Sequence, residues 1–394
     1  MKKFLLLAVF SISSICTILF GSNMLTAKES IAAEQQVKQS GIYSYIMVGQ
    51  DMQPYTDGVQ NGISITGIDT QSEKVIIPEQ IDGHPVVGIG TLYSVEEIYW
   101  ENEDTARLSG TGRDHIKELV FPDSVMYIGS GAFRGFQNLQ NITFPKKVKV
   151  IGDYAFAGCD KLQRLDIPPY ARICNHVFDI KGKLSTVNVT SQTVLGYYTF
   201  GSHDIEGNAQ IDRMNIMKGT GTMQDVGSGR IQSMYVQKGI RRLNLSPDEG
   251  ADFSVAHLYI NDKNTTLLNE QSYANKKETS KIGMIHTVKG AKAIKLARNQ
   301  KITYQVKETG KVTVKYKKKK DKRKVTWDAV KTVVHTYKYQ KSKWTVKSKN
   351  STTTYQVYGK NKKNGKYKLI QTTKKRSFAS KYKYMKVVAE EDWK

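Results

Sequence analysis

Hydrophobic positions recur along the chain in triplets spaced i, i+3, i+5. Four consecutive copies read Ile116/Leu119/Phe121, Leu139/Ile142/Phe144, Leu162/Leu165/Ile167 and Leu184/Val187/Val189. Weaker copies lie upstream at Ser72/Val75/Ile77 and Val95/Ile98/Trp100. Others lie downstream at Ile211/Met214/Ile216, Ile231/Met234/Val236 and Val255/Leu258/Ile260. First positions are separated by 23, 21, 23, 23, 22, 27, 20 and 24 residues. The last two members of each triplet are two apart, so they share one face of a short strand. Between these strands the central copies share Ile/Leu-Gly/Cys pairs at 128, 151, 173 and 195 and a Phe at 133, 156, 178 and 200. One such unit cannot bury its own apolar face. Stacking units about 4.8 Å apart as parallel strands buries a continuous core, with pairs such as Ala155-Phe156 plugging the interior. The pattern therefore predicts a mainly β solenoid.

Within each rung, the residue between the last two core positions points out of the strand. That column reads Ile76, Tyr99, Val120, Thr143, Asp166, Asn188, Asn215, Tyr235 and Tyr259. Tyr99, Thr143, Asp166, Asn188, Tyr235 and Tyr259 are its candidate ligand-binding residues, since a tyrosine-ended ladder offers large contact area at low entropic cost. The competing reading is an ordinary strand face, polar and aromatic because β-propensity favours it.

The spacing lies in the range of leucine-rich repeats. "IGSGAFRGFQNLQNITFP" and "IGDYAFAGCDKLQRLDIP" resemble the leucine-rich repeat of BspA-like bacterial surface proteins, and "ITGIDTQSEKVIIPEQIDGHPVVGIG" (65–90) resembles the cap that opens such arrays. The resemblance covers about 40–260 and departs from the pattern at 201–260, where "GTGTMQDVGSG" (219–229) intervenes. It implies a secreted or surface-bound recognition protein, often proposed as an adhesin, with no catalytic activity.

An export signal opens the chain: Lys2-Lys3, then the apolar run Phe4–Phe20, then small residues at Ala27 and Ala32-Ala33. Cleavage after Ala27 or Ala33 would leave an exported protein without a membrane span. Retention as an anchor is the alternative, because 17 residues fall just short of a span. Cys16 leaves with the signal. Cys159 and Cys174 are too few for a disulfide scaffold and read as two buried thiols, with a metal or disulfide role as the lesser alternative.

Charge changes the picture of the C-terminal part. Residues 281–394 hold 34 Lys+Arg against 6 Asp+Glu, a net of +28, whereas residues 1–280 carry a net of −4. The densest stretch, "KYKKKKDKRK" (315–324), offers Lys315, Lys317, Lys318, Lys319, Lys320, Lys322, Arg323 and Lys324 as candidate polyanion-binding residues. A merely solvated hairpin loop is the competing reading. Nucleic acid is disfavoured as the partner by export and by the lack of a nucleic-acid motif.

Short segments such as "KITYQV", "KVTVKY", "YQVYGK" and "YMKVVA" alternate apolar and polar residues, which predicts an all-β region of small sandwich-like modules. "STTTYQVYGKNKKNGKYKLIQTTKKRSFAS" with "YKYMKVVA" resembles a fibronectin type III-like module over about 340–394. Trp344 stands as its buried early tryptophan, with Trp327 as an upstream rival. The expected organisation is signal 1–33, solenoid with cap 34–265, linker 266–282 and basic β-region 283–394, in which 283–340 forms a second small β-unit.

No HExxH, no GxSxG and no phosphate-binding glycine fingerprint appears, and Glu96-Glu97 face opposite ways on a strand. The sequence thus points away from an enzyme, and no cofactor or metal is expected. It predicts a monomeric secreted or cell-surface adhesion protein. Its solenoid would bind a protein or glycan, and its basic region would hold to a cell-wall polyanion. The alternatives are an adhesin gripping a host glycosaminoglycan or matrix protein, or a wall-active enzyme.

Overall fold

Ile89, Ile128, Ile151, Ile173 and Leu195 pair in one unbroken parallel register. They sit on the strands His84–Ile89, Tyr127–Ile128, Val150–Ile151, Arg172–Ile173 and Val194–Leu195. The computed structural model describes residues 36–48, 57, 59–90, 107–201, 209–217, 222–223, 229–246, 253–269, 271–273, 276–278, 281–319, 322–390 and 393. The chain divides into two units. One comprises Met1–Met234, Arg242–Val255 and Leu268–Lys281, the other Tyr235–Arg241, Ala256–Leu267 and Ile282–Lys394.

In the first unit, each repeat contributes one strand to each of two ladders. Besides the isoleucine line, Val75 pairs with Leu119 and Leu119 with Ile142, while Leu165 pairs with Val187 and Val187 with Met214. The antiparallel strands Lys38–Ser40 and Tyr43–Met47 close the upstream end against Ile63–Ile68. The expected solenoid is present, with about seven turns. Its interior is a column of phenylalanines, Phe133, Phe156, Phe178 and Phe200, all fully buried. Their rings stack at 5.2, 5.7 and 5.8 Å with planes within 12°. One register correction follows from the pairing. Lys74–Ile76 bonds directly to Glu118–Val120, so no rung at Val95/Ile98/Trp100 stands between them, and those three residues lie outside the described ones.

Two residues before each of these phenylalanines the backbone turns left-handed. The first rung uses Gly131 there (φ 64°), but later rungs use Tyr154 (56°), His176 (55°) and Tyr198 (50°). A Cβ in this region costs on the order of 1–2 kcal/mol. The rings offset that cost by stacking: Tyr154 on His176 at 4.7 Å and His176 on Tyr198 at 5.0 Å, with planes within 4°. Cys159 is buried, and its Sγ donates to the Phe133 carbonyl at 3.2 Å. Burial pushes its thiol well above the usual range. Cys174 is half-buried rather than buried, and neither cysteine forms a disulfide.

In the second unit parallel strand pairing is found beyond residue 265, where the repeat pattern predicts the end of the array. Lys281–Val288 pairs in parallel with Thr303–Thr309 through the crossover helix Ala293–Asn299, which buries Ala293 and Ala297. The all-β expectation thus gains one short helix. The antiparallel hairpin Thr332–Gln340/Lys343–Ser351 follows at the edge of Thr303–Thr309. Residues 283–340 are therefore not a unit of their own.

The remaining strands make two three-stranded antiparallel sheets. One holds Val314–Lys319, Lys322–Trp327 and Ser377–Ser380, the other Lys368–Thr373, Tyr355–Lys360 and Tyr384–Ala389. Val325 and Trp327 of the first share one buried cluster with Tyr355, Val357, Met385 and Val387 of the second. Trp327, not Trp344, is the buried tryptophan. It is 3% exposed and meets the Tyr355 ring edge-on at 5.4 Å. Trp344 lies half-buried on the hairpin, against Tyr304 and Tyr339.

Candidate recognition surface

The outward column forms as the period-two pattern predicts, but its members do different things. Ile76, Val120 and Thr143 align across three strands, with Ile76 63% exposed and Thr143 exposed. Asp166, Asn188 and Asn215 align on the next three. There the side chains bond to one another. Asn188 Nδ2 donates to Asp166 Oδ1 at 2.5 Å, and Asn215 Nδ2 donates to Asn188 Oδ1 at 2.7 Å. Arg164 grips Asp166 through Nε and Nη2 at 2.7 and 2.9 Å. That hydrogen-bonded guanidinium, with Asn188, holds the Asp166 carboxyl below its usual range. Asn188 is only 9% exposed and spends both ends of its amide inside the ladder. This stretch pins strand register more than it presents a ligand site. Tyr99 lies outside the described residues.

In the second unit the column turns aromatic. Tyr235 and Tyr259 stack at 4.4 Å with planes 4° apart, and His286 continues the stack on Tyr259 at 4.2 Å. His286 occupies the outward position of Lys281–Val288, aligned with Gln305, Thr336 and Lys347 on the next three strands. Sequence reasoning stopped at Tyr259 because the triplet is lost after residue 260. The signal it lacked was "GMIHTV", an alternating strand with His at the same outward place.

His286 is 5% exposed and uses both ring nitrogens. Its Nδ1 lies 3.0 Å from Gln305 Oε1, and its Nε2 lies 3.0 Å from His257 Nδ1. Gln305 Nε2 donates to Thr336 Oγ1 at 3.1 Å, which turns Oε1 toward His286. His286 therefore carries its proton on Nδ1 and accepts from His257 at Nε2. Trp393 covers the outer side, its ring 5.0 Å from His286. It is pinned there by indole Nε1 donating to the Thr287 carbonyl at 3.0 Å and by backbone bonds with the Asn261 amide at 2.7 and 3.2 Å.

Burial, and then the neighbouring His257, push the His286 pKa from 6.5 down to about 4. The folded state thus binds fewer protons than the unfolded chain between those values. The contribution is fully present above pH 6.5 and is lost as pH falls toward 4. A shift of this size corresponds to about 3 kcal/mol. Urea unfolding of this unit between pH 7.5 and 4.5 is expected to show the loss, and His286→Gln to flatten that window. An equal pH slope in both proteins would refute the assignment.

The cationic stretch also forms as a hairpin, Val314–Lys319 against Lys322–Trp327. Its register sets Lys317 opposite Lys324, Lys318 opposite Arg323 and Lys319 opposite Lys322. Like charges placed directly opposite destabilise a strand pair. Lys315 and Lys324 are exposed, and Lys315 reaches Asp328 at 3.1 Å. Lys320 lies outside the described residues. Among the described residues, no cluster of three His, Cys, Asp or Glu side chains that could hold a metal ion is present, and no helix is long and apolar enough to cross a membrane.

The repeat register and the phenylalanine column decide the class of the first unit. Residues 112–220 match the BspA type Leucine rich repeat region, in 6 copies. Solved structures with a similar trace include the leucine rich repeat protein of T. pallidum (18% identity, TM-score 0.37, covering 67% of this chain and 95% of that one). A leucine rich cell surface protein from Faecalibacterium prausnitzii aligns at 15% identity and TM-score 0.33, over 65% of this chain and 71% of that one. The pneumococcal vaccine antigen PcpA aligns at 13% identity and TM-score 0.32, over 65% of each chain. No curated protein matches the chain.

Proposed function

We propose that this is a non-enzymatic secreted or cell-surface recognition protein. Its solenoid binds a protein or glycan partner, and its basic region holds it to a polyanionic wall or glycan. The observation that carries the reading is the hairpin register, which opposes three successive cation pairs. Like charges at directly opposed strand positions disfavour the pair, and an external polyanion that supplies the counter-charge would relieve that. The BspA-type match supports a repeat surface that works by contact. The two three-stranded sheets around Trp327 and Tyr355 support a fibronectin type III-like module with the hairpin Thr332–Gln340/Lys343–Ser351 inserted.

The full chain is expected to cosediment with isolated cell walls at low salt and to be released as ionic strength shortens the screening length. Failure to pellet at low salt would overturn wall retention, and retention on heparin alone would favour the host-glycan reading. Salt, or a soluble polyanion, is also expected to slow hydrogen exchange of the Val314–Trp327 amides by several-fold. Exchange that is insensitive to both would remove the hairpin from the account.

A further inference from the structure

The second unit holds a cleft of about 500 Å³ at the ends of four successive chain segments of its ladder. Lys238 follows the strand Gly229–Val236, Lys263 lies in the turn after Phe253–Ile260, Lys289 directly follows Lys281–Val288, and Lys307 lies near the end of Thr303–Thr309. Each segment brings one lysine. Two carboxylates share the cleft, and both are engaged. Asp262 accepts the backbone N–H groups of Gly239 and Asn264, each at 2.9 Å, so it ties two turns together. Glu308 accepts from Lys289 Nζ at 2.7 Å. Among the described residues lining the cleft, four lysines stand with two carboxylates, Lys307 Nζ lies 5.7 Å over the Trp393 ring, and Asn261, Asn264 and Thr309 add neutral polar groups.

Adjacent strands lie about 4.8 Å apart, so four segments spread their lysines over roughly 14 Å. A single tetrahedral oxyanion reaches one or two of them. A chain of oxyanions laid across the strands meets one ammonium per step. The geometry points to this cleft as the binding site for an extended linear polymer carrying phosphate or sulfate groups. The inference rests on the polyanion reading above and adds to the 315–324 hairpin a stronger grip on the ladder turns.

The test compares full-chain wild type with Lys238→Gln/Lys263→Gln/Lys307→Gln, with the milder Lys238→Gln/Lys263→Gln, and with the hairpin variant Lys315→Gln/Lys324→Gln. Far-UV circular dichroism checks each fold. Long-chain inorganic polyphosphate, heparin and orthophosphate serve as probes across a salt series. The triple variant is expected to lose at least about tenfold in affinity for the polymer probe, and its log K against log salt slope to fall by about 2. The hairpin variant should change less than about threefold, and orthophosphate should bind at least about a hundredfold more weakly than the polymer. The stronger of the polyphosphate and heparin arms identifies the oxyanion. Undiminished polymer binding in both cleft variants, with loss in the hairpin variant, overturns the cleft and leaves the polyanion reading standing. Absence of polymer binding by the wild type at low salt overturns both, and orthophosphate binding as tightly as polymer overturns the extended ligand.

Discussion

Replacing Phe156 by alanine is expected to destabilise the repeat array by about 3–5 kcal/mol. Phe156 is fully buried, with the Phe133 ring stacked on one side at 5.2 Å and the Phe178 ring on the other at 5.7 Å. Phe144 meets it edge-on at 5.7 Å. Removing the ring opens a cavity between two side chains that cannot close on it, because their backbones are fixed by the ladder. Phe133 N–H donates to the Ala155 carbonyl at 2.8 Å, and Phe156 N–H donates to the Val177 carbonyl at 2.9 Å. A solenoid gains stability from each rung and from each interface between neighbours. The loss is therefore counted at two interfaces, while Phe156→Leu, which keeps most of the apolar volume, should cost under about 1.5 kcal/mol. Urea unfolding followed by far-UV circular dichroism, with hydrogen exchange resolving 128–200 from the rest, measures both. A loss below about 1 kcal/mol for the alanine variant would mean that the column is not the core of the array.

The central repeats were readable because two periods coincide in them. The 22–23-residue recurrence gives the rung, and the two-residue spacing at its end gives the strand face. Each identifies Ile128, Ile151, Ile173 and Leu195 as neighbours without knowledge of the fold. The upstream copy at Val95/Ile98/Trp100 shows how the same rule misleads. A triplet of apolar residues also arises by chance, and only the pairing of Val75 with Leu119 tells the two cases apart. The left-handed column was hidden for another reason. Tyr154, His176 and Tyr198 are unusual residues for that backbone, and their compensation lies in mutual stacking that no single rung displays.

Half of the aromatic surface was legible. Tyr235 and Tyr259 fall in the predicted column and stack as neighbours. His257, His286 and Trp393 do not fall in it, because their association spans up to 136 residues of sequence and depends on the course of the chain's last residues. Electrostatics were legible as a total and not as a pattern. The excess of +28 is read from composition, whereas the opposition of Lys317 to Lys324 and the one-lysine-per-segment cleft appear only once register is known.

The choice between Trp327 and Trp344 carries the second large expected effect. Trp327→Ala should cost about 3–5 kcal/mol and Trp344→Ala under about 1 kcal/mol. Trp327 lies at 3% exposure among Val325, Tyr355, Val357, Met385 and Val387, so its loss empties the centre of the two small sheets. Its indole nitrogen is buried without a hydrogen-bond partner among the described residues, so packing carries its contribution. Trp327→Phe, which keeps an aromatic ring on Tyr355, should recover more than half of the loss. Trp344 has Tyr304 and Tyr339 each at 5.4 Å and stays half-buried on a hairpin whose facing Val346 is 56% exposed. The sequence favours Trp344 because it lies eleven residues before Tyr355, whereas Trp327 lies 28 before it. The intervening hairpin Thr332–Gln340/Lys343–Ser351 pairs with Thr303–Thr309, not with the sheet that carries Tyr355. It lengthens the sequence between two core partners without separating them in space. Hydrogen exchange of the Tyr355–Lys360 and Tyr384–Ala389 amides reads the outcome, since these strands open when their shared core fails. Faster exchange in Trp344→Ala than in Trp327→Ala would place the core at the hairpin and return the module boundary to residue 340.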